Sequence, residues 1–345
     1  MGHDHAPFST GVVGAPATLT TAEAETQMAA LIDSSGPGIG IGEFEFYARR
    51  NSDDRVFRRM VGEVLSLGDE YFLSSTAKPV HAAVCLDQVR RGRMALDDLV
   101  TDYLPDFAVV TSEQAALTVR NLFQYRSGIA GTYNPEDEAD WAGYVDYVNG
   151  MPLLESPGWA PGVGHFTYNT AHFAILSAVA VAAAGAADYD EIFDEWRTLT
   201  GLFPTATHSG SITWAAPITF NTNTAQYEEF FKALRDKTIL TSELIDFMMT
   251  DHVVLAEDGN TRAEQLFGED WHFAVGIWVP CESPNFSCGA VTRRTTLGIG
   301  GQYAHIEYDD DYQLVISRTG ADEFEEIYFA RQFDTLLKQW SEASE

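Results

Sequence analysis

The stretch Ser75-Thr76-Ala77-Lys78-Pro79, continued by the apolar run Val80 to Val89, carries the strongest signal in the sequence. Side chains three positions apart lie on one face of a helix, so this spacing predicts that the Lys78 amine reaches the Ser75 hydroxyl. Pro79 suits the first turn of a helix, which places Ser75 at its N-terminus, where free backbone N–H groups can stabilise an oxyanion. Serine needs a neighbouring base to act as a nucleophile, and lysine is such a base only where its charge is suppressed. An ordinary helix start with a surface lysine fits the same five residues.

The composition excludes several classes of protein. The chain has 345 residues, 45% of them hydrophobic, and its 51 acidic residues against 21 Lys and Arg give a net charge of −30. Such a chain can bury a core, but it repels nucleic acids and anionic membranes, so we expect no nucleic-acid partner. The longest apolar stretch, Phe173 to Ala187, is too short to span a bilayer. An acidic surface poor in lysine is typical of proteins that work in high salt, although acidic proteins also occur elsewhere. The lysines are Lys78, Lys232, Lys237 and Lys338.

Strand patterns lie near both ends of the chain, and helical patterns fill its middle. Thr20 and Glu23 have the spacing of a capping box, which predicts a helix from there to Ile32. The pattern therefore predicts an α+β fold, with a mainly antiparallel sheet built from both termini, flanking helices and an inserted helical lobe. The other predicted elements are a hairpin formed by residues 39–47 and 56–60, helices within 76–250, strands at 273–279, 302–308 and 314–317, and a closing helix with apolar residues at 329–340.

Three further blocks follow the serine in a fixed order. They are Leu117 to Phe123 with Ser127-Gly128, then Pro161-Gly162 leading to Phe166-Thr167-Tyr168-Asn169-Thr170, then Leu297 to Tyr303. Together with Phe72 to Pro79 and Leu96-Asp97-Asp98, these blocks resemble the serine β-lactamase-like family. The likeness is greatest to class C β-lactamases, DD-peptidases and family VIII esterases, and it covers about residues 20 to 340. It implies one catalytic domain over 1–345, with an α/β lobe (about 20–75 and 270–345) and a helical lobe (about 76–269).

The resemblance also implies roles for single residues. It makes Ser75 the acylated nucleophile, Lys78 its base or proton partner, and Tyr168 the phenol that protonates the leaving group and later activates water. A phenolate beside a lysine ammonium is stabilised, so the two side chains can share a proton. The oxyanion would be bound by the backbone N–H groups of Ser75 and Ile299. The family uses no metal or organic cofactor. The remaining candidates for substrate or oxyanion binding are Gly298, Thr170 and Asn169.

Two departures from the family pattern bear on the substrate. The middle motif is usually Tyr-x-Asn, but here Thr170 holds the third place and Asn169 comes one position early. The late motif usually has Lys or His two places before its glycine, and here that place is Thr296. Arg293 and Arg294 either replace this cation or belong to a solvated surface. Both losses favour esters, or amides without a carboxylate, over β-lactams and D-Ala-D-Ala peptides.

The sequence thus predicts a serine hydrolase that forms an acyl-enzyme with an ester or amide of a small substrate, with an esterase favoured. The alternatives are a DD-peptidase or weak β-lactamase acting on a lactam or amide, and a binding or scaffold protein that has kept the fold without turnover. His172, four residues after Tyr168, either lines the pocket or is a structural histidine, and the latter is favoured.

The cysteines bear on the compartment. Cys85 is predicted to be a buried residue of a helix, while Cys281 and Cys288 flank a polar loop that one disulfide would close. The N-terminus has neither a basic start nor an apolar run, so no signal peptide is visible. The cytoplasm is therefore favoured, unless Cys281 and Cys288 form a disulfide, which would indicate export.

Overall fold

The computed structural model describes most of the helical and strand segments of the chain. The described residues are 19–35, 43–62, 68–107, 116–129, 140–151, 166–208, 220–253, 269–281, 293–298, 302–307, 312–318, 327 and 329–344.

A seven-stranded antiparallel sheet forms one part of the described structure, in the order β2-β1-β10-β9-β8-β7-β6. Its strands come from the two ends of the chain, as the sequence predicts, so the α+β fold class is confirmed. The strands are β1 (Phe44–Arg50), β2 (Val56–Val61), β6 (Asp270–Phe273), β7 (Trp278–Cys281), β8 (Arg293–Gly298), β9 (Gln302–Glu307) and β10 (Tyr312–Arg318). A smaller sheet, β3-β5-β4, lies within or beside the region predicted as helical, with β3 (Tyr71–Phe72), β4 (Thr207–His208) and β5 (Phe220–Thr222).

The helices are α1 (Thr21–Ser35), α2 (Lys78–Arg90), α3 (Val100–Tyr103), α4 (Val119–Phe123), α5 (Trp141–Asn149), α6 (Ala171–Ala184), α7 (Tyr189–Thr200), α8 (Thr224–Arg235), α9 (Ser242–Met249) and α10 (Asp334–Glu342). The predicted capping box is confirmed, because the Thr20 N–H donates to Glu23 over 2.8 Å and the Glu23 N–H donates to the Thr20 hydroxyl over 3.3 Å. Helix α1 then continues three residues beyond its predicted end at Ile32.

Strand β1 is buried along its whole length, because both faces of the sheet are covered there. On one face, Phe46 lies 4.8 Å from the ring of Phe333, which immediately precedes α10. On the other face, Arg49 contacts Glu228 of α8. The side chains of β1 therefore point alternately to a face that packs against aromatic rings and to a face that makes charged contacts.

Helices α2 and α6 pack against each other in the interior of the helical part. Nearly every residue of α2 from Lys78 to Gln88 is buried, as is α6 from Ala171 to Val181. A helix that is apolar on all sides belongs in a core, and the alanine-rich sequence of α6 allows this close packing. The prediction that Cys85 is a buried residue of a helix is confirmed.

The region predicted as one strand over 273–279 is a hairpin instead. Strands β6 and β7 pair antiparallel, with Phe273 opposite Trp278, and Gly276 between them has a φ of +74°. An alternating apolar pattern cannot reveal this reversal, because all residues from 271 to 281 are buried. The turn depends on the left-handed conformation that glycine adopts without steric cost.

None of the described helices is long and apolar enough to cross a bilayer singly. Helices α6 and α7 taken together have the length and composition of a membrane-spanning segment, but the chain bends by 73° between them. The division of the chain into one catalytic domain of two lobes stays a prediction.

Candidate active site

Ser75 and Lys78 meet at the junction of two helices. Ser75 belongs to a 3-10 helix, Ser74–Ala77, and Lys78 is the first residue of α2. The Lys78 Nζ atom lies 2.8 Å from the Ser75 Oγ atom. Ser75 is partly exposed, whereas Lys78 is only 1% exposed. The structure therefore brings together a hydroxyl that a ligand can reach and an amine that solvent cannot.

The backbone that presents Ser75 is held in an unusual conformation. Ser74 has a φ of +46°, in the left-handed region that side chains other than glycine rarely adopt. The preceding residue, Leu73, is fixed by its N–H, which donates to the Phe220 carbonyl over 2.8 Å. Strain of this kind persists only where the surrounding structure imposes it, and it concentrates at functional sites.

Strand β8 packs against the 3-10 helix and is tied to it through one side chain. The Tyr227 hydroxyl of α8 donates to the Thr76 carbonyl, and a side-chain hydrogen bond joins Thr296 of β8 to Tyr227. Thr296 occupies the place of the missing motif cation and is 2% exposed. Its hydroxyl thus has a structural partner beside the nucleophile.

The hairpin between β6 and β7 approaches Lys78 from another side. A Cβ atom added to Gly276 would lie 2.9 Å from the Lys78 carbonyl oxygen and 3.3 Å from the ring of Phe173. Glycine is therefore required at this turn for two reasons, its positive φ and the close approach of the Lys78 backbone.

Tyr168 lies beside Lys78 within a cluster of aromatic rings. The Lys78 Nζ atom is 5.0 Å from the centre of the Tyr168 ring, and Tyr168 is 38% exposed. Its ring centre lies 5.0 Å from that of Trp278, 5.5 Å from that of Phe273 and 6.0 Å from that of Tyr125. The three side chains that the sequence predicts as catalytic are thus close together in the fold.

The other predicted site residues have varied positions. The Asn169 side chain donates to the Ile129 carbonyl over 3.2 Å and accepts from the Ala171 N–H over 2.9 Å, so it anchors the start of α6. Thr170 is the N-cap residue of α6 and makes no side-chain capping bond. Gly298 ends β8, and Ile299 lies outside the described residues. The predicted roles of these four residues in binding substrate stay predictions.

One of the two neighbouring arginines has a clear structural contact. The Arg294 guanidinium donates to the Met249 carbonyl at the end of α9, with its Nε atom at 2.8 Å. The side chain of Arg293 lies outside the description. Of the predicted disulfide pair, Cys281 is disulfide-bonded, and Cys288 lies outside the described residues.

Sequence reasoning missed two residues of this site. Tyr125 packs against Tyr168 with a φ of +57°, and Trp278 covers the same ring. Tyr125 lies within the family-like block that ends in Ser127-Gly128, and this position in the sequence could have indicated that it belongs to the site. No signal in the sequence indicates Trp278, because its contact with Tyr168 depends on the hairpin.

The arrangement can perform acyl transfer. A buried amine in hydrogen-bond contact with a serine hydroxyl is the geometry of an activated nucleophile, and a neighbouring phenol supplies a second group able to move a proton.

Comparison with known proteins identifies relatives of this fold. The family model described as Beta-lactamase matches residues 71–317, more than two thirds of the chain. A variant of simvastatin synthase from Aspergillus terreus superposes with a TM-score of 0.70 at 15% identity, covering 97% of this chain and 100% of that chain. A β-lactamase/D-alanine carboxypeptidase from Pseudomonas syringae gives 0.69 at 12% identity, covering 93% and 99%. EstCE1, a hydrolase with promiscuous acyltransferase activity, gives 0.64 at 16% identity, covering 93% and 97%. A search of curated protein sequences finds no match to this chain.

Proposed function

The chain belongs to the β-lactamase family, and from this premise we propose that it is a serine hydrolase that forms an acyl-enzyme with an ester or amide of a small substrate. The observation that carries the proposal is the 2.8 Å contact between Lys78 Nζ and Ser75 Oγ. Covalent catalysis by serine requires a base within hydrogen-bond reach of the hydroxyl, and this contact supplies it.

The proposed reaction has two steps. In acylation, Lys78 takes the Ser75 proton as Oγ attacks the acyl carbon, and Tyr168 passes a proton to the leaving group. In deacylation, Tyr168, now a phenolate, takes a proton from the water that attacks the acyl carbon, and Lys78 returns its proton to Ser75 Oγ as the bond between that oxygen and the acyl carbon breaks. In both steps, the backbone N–H of Ser75 is proposed to bind the oxyanion, with the Ile299 N–H as the proposed second donor.

The substrate is proposed to lack a carboxylate next to the scissile bond. Thr296 replaces the usual cation, and its hydroxyl is bonded to Tyr227. The Arg294 guanidinium is engaged by the Met249 carbonyl. The Tyr168 ring beside the amine, with the Trp278 ring packed against it, favours an apolar group in the substrate. A small apolar ester therefore suits this site better than a β-lactam acid.

A DD-peptidase or weak β-lactamase is the second candidate, supported by the similarity of this fold to that of the β-lactamase/D-alanine carboxypeptidase from Pseudomonas syringae, at 12% identity. A binding protein without turnover is the third. The Ser75–Lys78 contact and the adjacent Tyr168 ring argue against the third candidate, because a scaffold has no need of a buried amine at a serine that follows a strained residue.

The test compares the wild type with Ser75→Ala on one panel of short-chain p-nitrophenyl esters, amides and a labelled penicillin. Ser74→Ala is the matched control, because Ser74 is the neighbouring serine in the same 3-10 helix. We expect Ser75→Ala to abolish ester turnover and labelling by a fluorophosphonate probe without changing the circular dichroism spectrum, while Ser74→Ala keeps both activities.

Each outcome separates the candidates. Rapid ester turnover with little acylation by penicillin supports the esterase, and the reverse pattern supports the β-lactamase or DD-peptidase. A wild-type protein that neither turns over any substrate nor reacts with the probe would leave only the binding protein. Ester turnover retained in Ser75→Ala would overturn the assignment of the nucleophile.

A further inference from the structure

The segment that carries Tyr168 has no regular secondary structure of its own. Residues 166–170 lie between a part of the chain outside the description and the start of α6. The position of the Tyr168 ring over the Lys78 amine must therefore come from specific contacts of this segment. The contacts of Thr167, the residue before Tyr168, are informative because both of its backbone polar groups have partners.

His172, in the first turn of α6, binds this segment directly. Its Nε2 atom lies 2.8 Å from the Thr167 carbonyl oxygen. A carbonyl only accepts, so the Nε2 atom carries the hydrogen. Burial lowers the pKa of His172 to about 4, although the hydrogen bond to Thr167 opposes that shift. The ring is therefore neutral near pH 7, and its Nδ1 atom is an acceptor.

Ser127 fixes the orientation of the imidazole ring. Its Oγ atom lies 2.8 Å from the His172 Nδ1 atom and accepts the Ile129 N–H over 3.2 Å. Since Nδ1 is an acceptor, the Ser127 hydroxyl donates to it. Both ring nitrogens of a wholly buried histidine are thus satisfied, with one tautomer selected.

Tyr125 completes the support from the opposite side. Its carbonyl accepts the Thr167 N–H over 3.0 Å, and its ring lies 4.8 Å from that of His172 and nearly parallel to that of Tyr168. The Thr167 backbone is therefore clamped between α6 and the 125–129 loop, and the next residue is Tyr168.

We propose that His172, oriented by Ser127, is the positioning residue for Tyr168 in the hydrolysis proposed above. It exchanges no proton with the substrate. It holds the Thr167 carbonyl and, through it, the Tyr168 phenol beside the Lys78 amine. This inference rests on the proposed function, since a positioned phenol matters only if the phenol takes part in the reaction.

A histidine with a purely structural role behaves differently, and the molecule contains one for comparison. His81 of α2 is also wholly buried, but its Nε2 atom lies 3.3 Å from the Ser177 hydroxyl, inside the α2–α6 packing. It makes no hydrogen bond to the segment that carries Tyr168. If His172 were only a core residue of this kind, its replacement would lower stability and leave the turnover of the folded protein unchanged.

Two amide substitutions separate the two bonds of His172. In His172→Gln the side-chain NH₂ group can take the place of Nε2 and donate to Thr167, while the bond to Ser127 is lost. In His172→Asn the side-chain oxygen can take the place of Nδ1 and accept from Ser127, while the bond to Thr167 is lost. Tyr144→Phe is the control, because it removes a different buried hydrogen bond to α6, the one that the Tyr144 hydroxyl donates to the Ala174 carbonyl over 2.5 Å.

The first readout is steady-state hydrolysis of a p-nitrophenyl ester by folded protein. We expect His172→Asn to lower kcat by about 10- to 100-fold with little change in KM, because small misplacement of a reacting group has costs of this order. We expect His172→Gln to keep most of kcat and Tyr144→Phe to keep all of it, although each lowers the melting temperature. Equal kcat in the two His172 variants, or a loss in Tyr144→Phe as large as in His172→Asn, would overturn the proposal.

The second readout does not depend on activity. Nitration by tetranitromethane, followed by peptide mass spectrometry, reports the environment of Tyr168, and Tyr147 of α5 is the internal reference because it is 37% exposed against 38% for Tyr168. We expect His172→Asn to raise the nitration of Tyr168 relative to Tyr147 several-fold, and His172→Gln to leave the ratio near the wild-type value. An unchanged ratio in His172→Asn contradicts positioning even if the protein hydrolyses esters. A changed ratio in a protein without ester turnover supports positioning while the proposed function fails.

Discussion

Two basic side chains, Lys78 and Arg49, are buried to nearly the same extent but have different neighbours. Lys78 is 1% exposed and Arg49 is 6% exposed. Arg49 of β1 contacts the carboxylates of Glu228 and Glu229 on α8. Lys78 contacts the Ser75 hydroxyl and the Tyr168 ring, and no carboxylate of the described residues lies within ion-pair distance of it.

The difference distinguishes a structural basic side chain from one that we propose to be reactive. Burial opposes the charge of Arg49, but its hydrogen bond and charge interactions with Glu228 and Glu229 prevail and raise its pKa. Such a guanidinium stays charged and joins α8 to the sheet. An amine that has no carboxylate partner among the described residues has no ion pair to break when a proton moves, which suits the role proposed for Lys78.

The largest loss of activity is expected when Lys78 is replaced. Lys78→Met should lower kcat/KM for the preferred ester by about 10²- to 10⁴-fold, the usual contribution of a positioned base. The melting temperature should not fall, because no buried carboxylate loses its partner. Tyr168→Phe should have a similar kinetic effect, and the double variant should be little worse than either single one, because groups that act as a unit are not additive. Additive losses in steady-state kinetics would show that the two side chains act separately.

Substitution of Arg49 is expected to lower stability and leave activity unchanged, the reverse of the result at Lys78. Arg49→Met should lower the free energy of unfolding in urea by about 3–5 kcal/mol, because it leaves the wholly buried Glu228 carboxylate without its partner. The kcat of the protein that remains folded should be unchanged. Arg59→Met is the control, since Arg59 and Asp33 form an exposed ion pair whose loss should cost less than about 1 kcal/mol. A fall in kcat at Arg49 with stability retained would contradict the comparison.

Gly276 tests whether the backbone around Lys78 sets its environment. Gly276→Ala should cost about 1–3 kcal/mol and lower kcat, because the new methyl group must displace the Lys78 carbonyl. Gly201→Ala is the matched control, with a φ of +73° and no atom within 4 Å of the added Cβ. Equal stability losses and an unchanged kcat in both variants would show that Gly276 is needed only for the turn and does not affect the environment of Lys78.

The smallest effect concerns the acidic surface rather than the buried charges. With a net charge of −30, repulsion between carboxylates should destabilise the fold at low salt. The Debye length falls from about 10 Å at 0.1 M to about 3 Å at 1 M, so the melting temperature should rise with added NaCl. Sulfate must be compared with chloride, because sulfate also strengthens apolar burial. A melting temperature that stays flat in chloride over this range would show that the charge serves solubility alone.

The sequence by itself determined what depends on residues close in the chain. The Ser75 and Lys78 spacing, the capping box of Thr20 and Glu23, and the strand patterns near both termini are local, and the structure has each of them except the single strand predicted over 273–279. Local patterns succeed because helix and strand periodicities fix which side chains share a face.

Only the tertiary structure decided which faces meet. Arg49 pairs with Glu228 across 179 positions, and His172 binds Ser127 across 45, so no local spacing connects them. The hairpin at Gly276 is equally hidden, because a segment buried on both sides has no alternation that marks its turn. The difference between Arg49, in an ion pair, and Lys78, proposed to move a proton, was likewise decided by the tertiary structure, since it depends on the partners that packing supplies.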